Sequence, residues 1–195
     1  LRKKMPVTFW TFLVGTLALA GVWPLSGFYS KDAILAQALA QHNYPLFALA
    51  VFVAALTSFY MFRLVYVVFL GKGRSPAADH AHEVAGVMAW PLRVLAMFSI
   101  VGGLIGFEAI YGTQFGHAAS HELSFFQELI YPVVHAPVAA FSGLAAAVLG
   151  FLVARKCYRD VNEDPLPSRL GGLSRAMRDR FYWDEIYTAT VIRAH

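Results

Sequence analysis

The chain has 195 residues, of which 58% are hydrophobic and only 14% are charged, so a water-soluble globular fold is excluded. Mean hydropathy is +0.54, which also excludes intrinsic disorder, because disordered chains are poor in apolar residues. The net charge is +4, and the single Cys157 excludes an internal disulfide framework. The basic residues are segregated along the chain in a way that fits membrane topology better than nucleic-acid binding.

Four apolar stretches predict an all-α, polytopic transmembrane helix bundle. The approximate spans are 6–42, 46–70, 90–111 and 133–154. Each of the last three is long enough to cross a hydrocarbon core about 30 Å thick, at about 1.5 Å of helical rise per residue. We therefore assign residues 1–159 to a transmembrane region.

The first span is predicted to be discontinuous. Gly21, Pro24 and Gly27 follow one another closely, and both proline and glycine disfavour helix. We expect the helix to break near residues 21–29 and to restart at Ser30, a good N-cap, with Asp32 in the first turn. The restarted segment ends at about His42 and is too short to cross a membrane alone.

The basic residues indicate that the 6–42 span crosses the bilayer once. A single crossing places every basic cluster on the same side, which is the positive-inside pattern, whereas a double crossing separates them. A single crossing also leaves Lys31 at mid-membrane depth. The clusters are Arg2-Lys3-Lys4, Lys72 with Arg74, Arg93, and Arg155-Lys156 with Arg159.

Residues 160–195 have a different character from the rest of the chain. The stretch 160–168 is polar and contains Pro165 and Pro167, which predicts a loop. From about Leu173, aromatic and charged residues are mixed in a segment too charged to span a membrane. We expect an amphipathic helix there, on the cytoplasmic membrane surface. Both ends of the sequence resemble internal positions of a longer protein.

Lys31 and Asp32 are the main candidate functional residues. Non-helical backbone at membrane depth occurs only where it is buried in protein or lines a wet cavity, and an ionisable residue there is functional by default. The helix dipole and desolvation disfavour the ammonium form of Lys31, whereas Asp32 or another carboxylate favours it. Such a lysine suits a proton relay. The alternative is a structural Lys31–Asp32 ion pair that stabilises the kink.

Arg63 is a further candidate, about 10 Å of helical rise before the basic end of the second span. It either pairs with a carboxylate inside the protein or extends to the membrane interface. The His80-Ala81-His82-Glu83 stretch is interpreted as a solvated loop rather than a metal site, because structural zinc needs four ligands. No phosphate-binding loop, nucleophile–base pair or cluster-binding cysteine set is found, so neither metal binding nor redox chemistry is expected in this chain.

A family resemblance rests on one specific motif and several supporting stretches. The motif is Ser26-Gly27-Phe28-Tyr29-Ser30-Lys31-Asp32-Ala33-Ile34-Leu35, and the supporting stretches are 56–63, 82–91 and 181–187. On these residues the chain resembles, over essentially its whole length, the subunit L family of bacterial NADH-quinone oxidoreductase (respiratory complex I). This family has counterparts in mitochondria, as subunit 5, and in chloroplasts.

The resemblance implies an antiporter-like fold with two inverted five-helix repeats, each with one broken helix. This chain is similar to the second broken helix, the spans that follow it and the approach to a long lateral helix. The broken-helix lysine of the family falls on Lys31 and its neighbouring acid on Asp32. The sequence departs from the family at Trp23, where the family often has a second proline beside Pro24.

The function that the resemblance implies is proton translocation by a multi-pass subunit of the bacterial inner membrane. NADH, FMN, iron–sulfur clusters and quinone are then expected in partner subunits, with no cofactor in this chain. The expected partners are other membrane-arm subunits and the lipid bilayer. One alternative is the large subunit of a multisubunit cation/proton antiporter, which needs no NADH or quinone. Another is a structural membrane piece that pumps nothing.

Overall fold

The computed structural model describes residues 1–71, 76–102, 130, 133–159 and 170–192. The described residues form helices and connecting turns, with no strand among them. Contacts divide the chain into two units, Leu1–Arg159 and Asp160–His195.

Six α-helices have their bounds among the described residues of the first unit. Among them, the helical segments Tyr44–Leu70 and Pro137–Tyr158 are long and apolar enough to cross a membrane, and two shorter helices, Pro6–Ala20 and Gly86–Val101, are also apolar. Of the predicted 90–111 span, residues 103–111 lie outside the described residues. The helices are α1 (Pro6–Ala20), α2 (Ser26–Ala40), α3 (Tyr44–Leu64, continued by a π-helix over Val65–Leu70), α4 (Pro76–Asp79), α5 (Gly86–Val101) and α6 (Pro137–Tyr158).

The chain leaves the helix at Gly21 and re-enters it at Ser26. Gly21 has a φ of 83°, a left-handed conformation that glycine adopts without strain. The backbone N–H groups of Gly21 and Val22 donate to the carbonyls of Ala18 and Leu17, at 3.0 and 3.1 Å, and so close the last turn of α1. The break ends with Leu25, which is extended, and the intervening Trp23–Pro24 peptide bond is cis.

The break is shorter than the predicted 21–29, and the expectation that Ser30 is the N-cap was wrong. Ser30 lies inside α2 and donates to the carbonyl of Gly27 at 3.2 Å, so Asp32 lies in the second turn. Gly27 does not interrupt the helix. It instead lets α2 pack closely against the end of α1. A Cβ at this position would lie 1.9 Å from the carbonyl oxygen of Ala18.

Helices α1 and α2 together traverse the first unit once. At the start of α1, the backbone N–H of Arg2 donates to the carbonyl of Phe69 at 3.2 Å, so the start of α1 lies beside the end of the π-helix. The Lys4 ammonium donates to the carbonyl of Asp79 at 2.7 Å. Because α3 and its π-helix return the chain from the end of α2 to the start of α1, the α1–α2 pair and α3 run in opposite directions.

Helices α3 and α6 pack side by side in the same direction. The hydroxyl of Ser58 donates to the carbonyl of Ala147 at 2.6 Å, and the rings of Phe62 and Phe151 meet edge to face at 4.8 Å. Close approach is possible because α6 buries small residues, as interfaces between membrane helices commonly do. These residues are Ala139, Ala140, Gly143, Ala146, Ala147, Gly150 and Ala154.

The second unit corrects the prediction of one amphipathic helix from Leu173. Its described part contains α7 (Gly172–Arg178), a 3₁₀ turn (Arg180–Tyr182), α8 (Trp183–Tyr187) and a π-helical turn (Thr188–Ile192). Arg180, Phe181 and Tyr182 all have positive φ, which interrupts the helix. Aromatic residues have modest helix propensity, and the described side chains of this unit are not buried, so packing does not stabilise a continuous helix.

Gly150 provides a test of the α3–α6 packing. A Cβ there would lie 2.4 Å from the carbonyl oxygen of Ala55, so Gly150→Ala is expected to destabilise the full-length protein by about 1–3 kcal/mol through overpacking. The measurement is thermal unfolding in detergent. Gly15→Ala is the matched control, because a Cβ at Gly15 has no heavy atom within 4 Å. Equal unfolding temperatures for native protein and Gly150→Ala would contradict this packing.

Candidate functional site at the helix break

The break leaves the carbonyl of Leu19 exposed to a side-chain donor. In an uninterrupted helix this carbonyl would accept from the backbone N–H four residues later. The chain has left the helix by that point, and the Lys31 ammonium donates to the Leu19 carbonyl at 2.6 Å. Cations are stabilised at the C-terminal end of a helix by its dipole. Lys31 is therefore a residue of α2 whose charge caps the end of α1.

Gly21 and Lys31 are in close contact at the break. The Cβ that Gly21 lacks would lie 2.9 Å from Cδ of Lys31, and Lys31 is half-buried. The aliphatic part of the lysine therefore passes directly over the glycine. Gly21 supplies both the left-handed turn that ends α1 and the space through which Lys31 reaches the Leu19 carbonyl.

Asp32 is more deeply buried than Lys31. Neighbouring residues on an α-helix point about 100° apart, and the Asp32 side chain is buried, with 7% of its surface exposed. It lines a narrow crevice between the break, α2 and α6, and Lys31 lines the same crevice; the other lining residues are Gly21, Phe28, Ala139, Ala140 and Gly143. The hydrogen bond from Lys31 to the Leu19 carbonyl spans the kink.

Arg63 lies at the end of α3, away from the break. Its Nε donates to the hydroxyl of Tyr158 at 3.0 Å, and its guanidinium lies 5.7 Å from the centre of the same ring, which is cation–π geometry. Tyr158 is about 22 Å along α6 from Gly143, which lines the Asp32 crevice. The structure therefore does not bring Arg63 together with Lys31 and Asp32. Sequence reasoning missed Tyr158 as a partner.

Glu83 has a structural role that sequence reasoning missed. Its carboxylate accepts from the backbone N–H of Val7 at 2.6 Å and from the hydroxyl of Thr8 at 2.7 Å, and so caps the start of α1. The Thr8 hydrogen bond, followed by backbone donors, lowers the pKa of Glu83 below its ordinary value. The available signal was the start of α1 at Met5-Pro6, where no local side chain caps the unpaired N–H groups.

The neighbouring histidines do not join Glu83 in a metal site. Nδ1 of His82 is 3.1 Å from the carbonyl oxygen of Glu83, and the Glu83 carboxylate is directed to α1. Within residues 1–71, 76–102, 130, 133–159 and 170–192, no three or more His, Cys, Asp or Glu side chains are grouped so that they could hold a metal ion.

Comparison with known proteins first gives the class of protein. Residues 1–57, which include α1, the break and α2, match the family model described as NADH:quinone oxidoreductase/Mrp antiporter, TM. Together with the two long apolar helices of the described chain, this match indicates a membrane protein with an antiporter-like domain.

The individual relatives are more specific. The chain is 31% identical, over 99% of its length, to NADH-quinone oxidoreductase subunit L of Rickettsia conorii. It is 31% identical, over 96% of its length, to NAD(P)H-quinone oxidoreductase chain 5 of a Picosynechococcus species. It is 33% identical, over its whole length, to the chloroplastic subunit 5 of Mesostigma viride. The resemblance predicted from the sequence is therefore confirmed. The chain spans about a third of the length of these relatives.

Glu83 gives a pH-dependent prediction. Because its pKa is lowered in the folded protein, the stabilisation is present above the ordinary glutamate value of 4.5 and is lost as the pH falls through the lower, folded value. Glu83→Gln should therefore lower the unfolding temperature at pH 7, and the difference from native protein should narrow below pH 4.5. The exposed Glu185→Gln is the control. A difference that does not change with pH would contradict the capping role.

Proposed function

We propose that this chain is part of a proton-translocating membrane subunit of an NADH:quinone oxidoreductase. In this proposal, electron transfer in partner subunits changes the protonation of Lys31, and protons move between the interior of the membrane arm and one membrane face. The similarity of the whole chain to subunit L and subunit 5 proteins supports the choice of complex. The position of Lys31 at the helix break supports the choice of residue.

The hydrogen bond from Lys31 to the Leu19 carbonyl is the observation that carries the proposal. The ammonium form is attracted by the negative end of the α1 dipole, whereas the neutral amine loses that attraction. Protonation of Lys31 therefore strengthens the cap, and deprotonation weakens it. This coupling gives the break two arrangements that differ in charge, which is what a proton carrier driven by a conformational change needs.

Asp32 and Arg63 have different roles in the proposal. Asp32 is a buried carboxylate next to Lys31 in the sequence, so its charge favours the ammonium form of the lysine. Arg63 does not carry protons, because a guanidinium is not deprotonated in proteins. We assign Arg63 a structural role in holding the end of α3 to the end of α6 through Tyr158.

The redox groups are proposed to lie in partner subunits of the same complex. NADH, FMN, iron–sulfur clusters and quinone would supply the driving electron transfer there, and this chain contributes the proton-carrying residues. The other partners are neighbouring membrane-arm subunits and the bilayer. The proposed location is the inner membrane of a bacterium, which the chain crosses several times.

A second candidate function is cation/proton exchange by the large subunit of a multisubunit antiporter. The family model that matches residues 1–57 carries both names, NADH:quinone oxidoreductase and Mrp antiporter. The same lysine at the same break would serve both functions. Only the dependence on NADH separates them, and the relatives with the wider coverage favour the oxidoreductase.

Lys31→Met in the full-length subunit tests the proposal. The assembled complex is placed in proteoliposomes, and NADH-driven proton uptake is measured per assembled complex. Lys31→Met should remove most of the uptake while assembly is kept, because methionine fills similar space but has no exchangeable proton. Lys31→Arg should keep a positive charge at the end of α1 but should not exchange protons. The complex with this substitution should therefore also pump poorly.

Lys3→Met is the matched control, because Lys3 is exposed at the start of the chain and its replacement removes the same charge. It should pump like the native complex. Native uptake by Lys31→Met would leave Lys31 with a structural role only. Cation-for-proton exchange without any response to NADH would contradict the oxidoreductase function and support the antiporter function.

A further inference from the structure

The end of α6 carries a cluster of positive charge, which we call the α6 basic cluster. It consists of Arg155, Lys156 and Arg159, which are all exposed, and the segment 155–159 contains no acidic residue. Among the side chains that the structure describes, these three form no ion pair. The helix dipole places only about half a negative charge at this end of α6. The described protein therefore leaves most of this positive charge unbalanced.

The contact between Arg63 and Tyr158 fixes the direction in which the α6 basic cluster points. Tyr158 is buried, and its hydroxyl accepts from Arg63 on α3. At about 100° per residue, Arg159 lies about 100° around α6 from Tyr158, and Arg155 lies about 60° around it in the same sense. The two arginines are one turn apart on a side of α6 that is not packed on α3. Side chains at this spacing, with about 5–6 Å between their Cβ atoms, can contact the same anion.

The two arginines continue an exposed apolar stripe along α6. Residues at intervals of three and four lie on the same face of a helix. From Phe141 to Leu152 the stripe extends for about 16 Å of helical rise. This length matches one leaflet of a hydrocarbon core about 30 Å thick. The stripe consists of Phe141, Ala145, Val148 and Leu152, all exposed, and leads directly to Arg155 and Arg159.

An anionic phospholipid matches both parts of this surface. Its phosphate diester accepts from guanidinium groups, whose planar donors suit two phosphate oxygens at once. Its acyl chain covers an exposed apolar stripe without needing any polar partner there. A free phosphate ion would use the charge but leave the stripe uncovered. Clusters of basic residues at the membrane-facing end of a helix are a common site for anionic headgroups.

We propose that α6 binds one anionic glycerophospholipid at the basic end of the first unit. Arg155 and Arg159 hold the phosphate, and Lys156 adds to the positive potential around it. One acyl chain lies along the apolar stripe, from Leu152 towards Phe141. The site selects anionic over zwitterionic lipids, because a zwitterionic headgroup brings its own positive charge to the cluster. The proposal does not depend on the proposed proton translocation.

The native complex with the full-length subunit tests the site without any variant. It is placed in nanodiscs that contain phosphatidylglycerol and phosphatidylcholine in equal amounts. A high-resolution density map should show a headgroup phosphate within about 4 Å of the guanidinium groups of Arg155 and Arg159. It should also show an acyl chain against Val148 and Leu152. A protein segment on the stripe, or no headgroup at the two arginines, would overturn the proposal.

Lipid selectivity is tested by photo-crosslinking in the same nanodiscs. Leu149→p-benzoylphenylalanine places the photoreactive group beside the stripe, at a side chain that is 59% exposed. Radiolabelled phosphatidylglycerol should crosslink to the subunit at least about 5-fold more than radiolabelled phosphatidylcholine, as expected for a cluster of surface basic residues. Adding Arg155→Gln with Arg159→Gln should bring this ratio close to one. Equal crosslinking of both lipids to the native sequence would overturn the proposal.

Two controls separate a lipid site from general surface charge. Arg2→Gln with Lys3→Gln removes the same number of charges at the start of the chain and should leave the crosslinking ratio unchanged. A fall of the ratio as large as that in the α6 variant would show that no specific site exists. Excess inorganic phosphate should lower the ratio no more than chloride at the same ionic strength. A greater loss in phosphate would indicate a site for a free anion and would overturn the lipid proposal.

Discussion

Backbone carbonyls at an interrupted helix must be paired, and at membrane depth water is not freely available to pair them. Here the end of α1 is closed by backbone donors from Gly21 and Val22, and by the ammonium of Lys31 at the Leu19 carbonyl. Two contacts make this closure possible. Gly21 leaves space for the lysine chain, and Gly27 lets the start of α2 lie directly against Ala18. Lys31 thus stabilises the end of α1 in addition to placing a charge at the break.

This arrangement connects the architecture to the chemistry. Because the ammonium caps α1, the protonation of Lys31 and the geometry of the break depend on each other. The surrounding helices are held by contacts that do not involve Lys31, such as the small residues of α6 against α3 and the Arg63–Tyr158 pair. The frame around the break is therefore held independently of Lys31.

Local sequence features were sufficient for the helical fold and for the start of the break, whereas the functional role of Lys31 stays a prediction. Gly21 and Pro24 mark the break because their backbone preferences are intrinsic. Contacts between distant segments were not predictable in the same way. Gly27 was interpreted as a helix breaker because its contact with Ala18 depends on how the start of α2 packs against the end of α1. Glu83 caps a helix start 76 residues earlier in the chain, and no local pattern indicates that partner.

If α1 and α2 form one membrane crossing with Lys31 inside it, the two ends of this helix pair lie on opposite sides of the membrane. Single cysteines at Lys3, Lys31 and Asn43, in a Cys157→Ser background, can be labelled in sealed vesicles with a membrane-impermeant thiol reagent applied from either side. We expect Lys3→Cys and Asn43→Cys to react from opposite sides and Lys31→Cys to react from neither. Reaction of Lys3→Cys and Asn43→Cys from the same side, or ready reaction of Lys31→Cys, would contradict it.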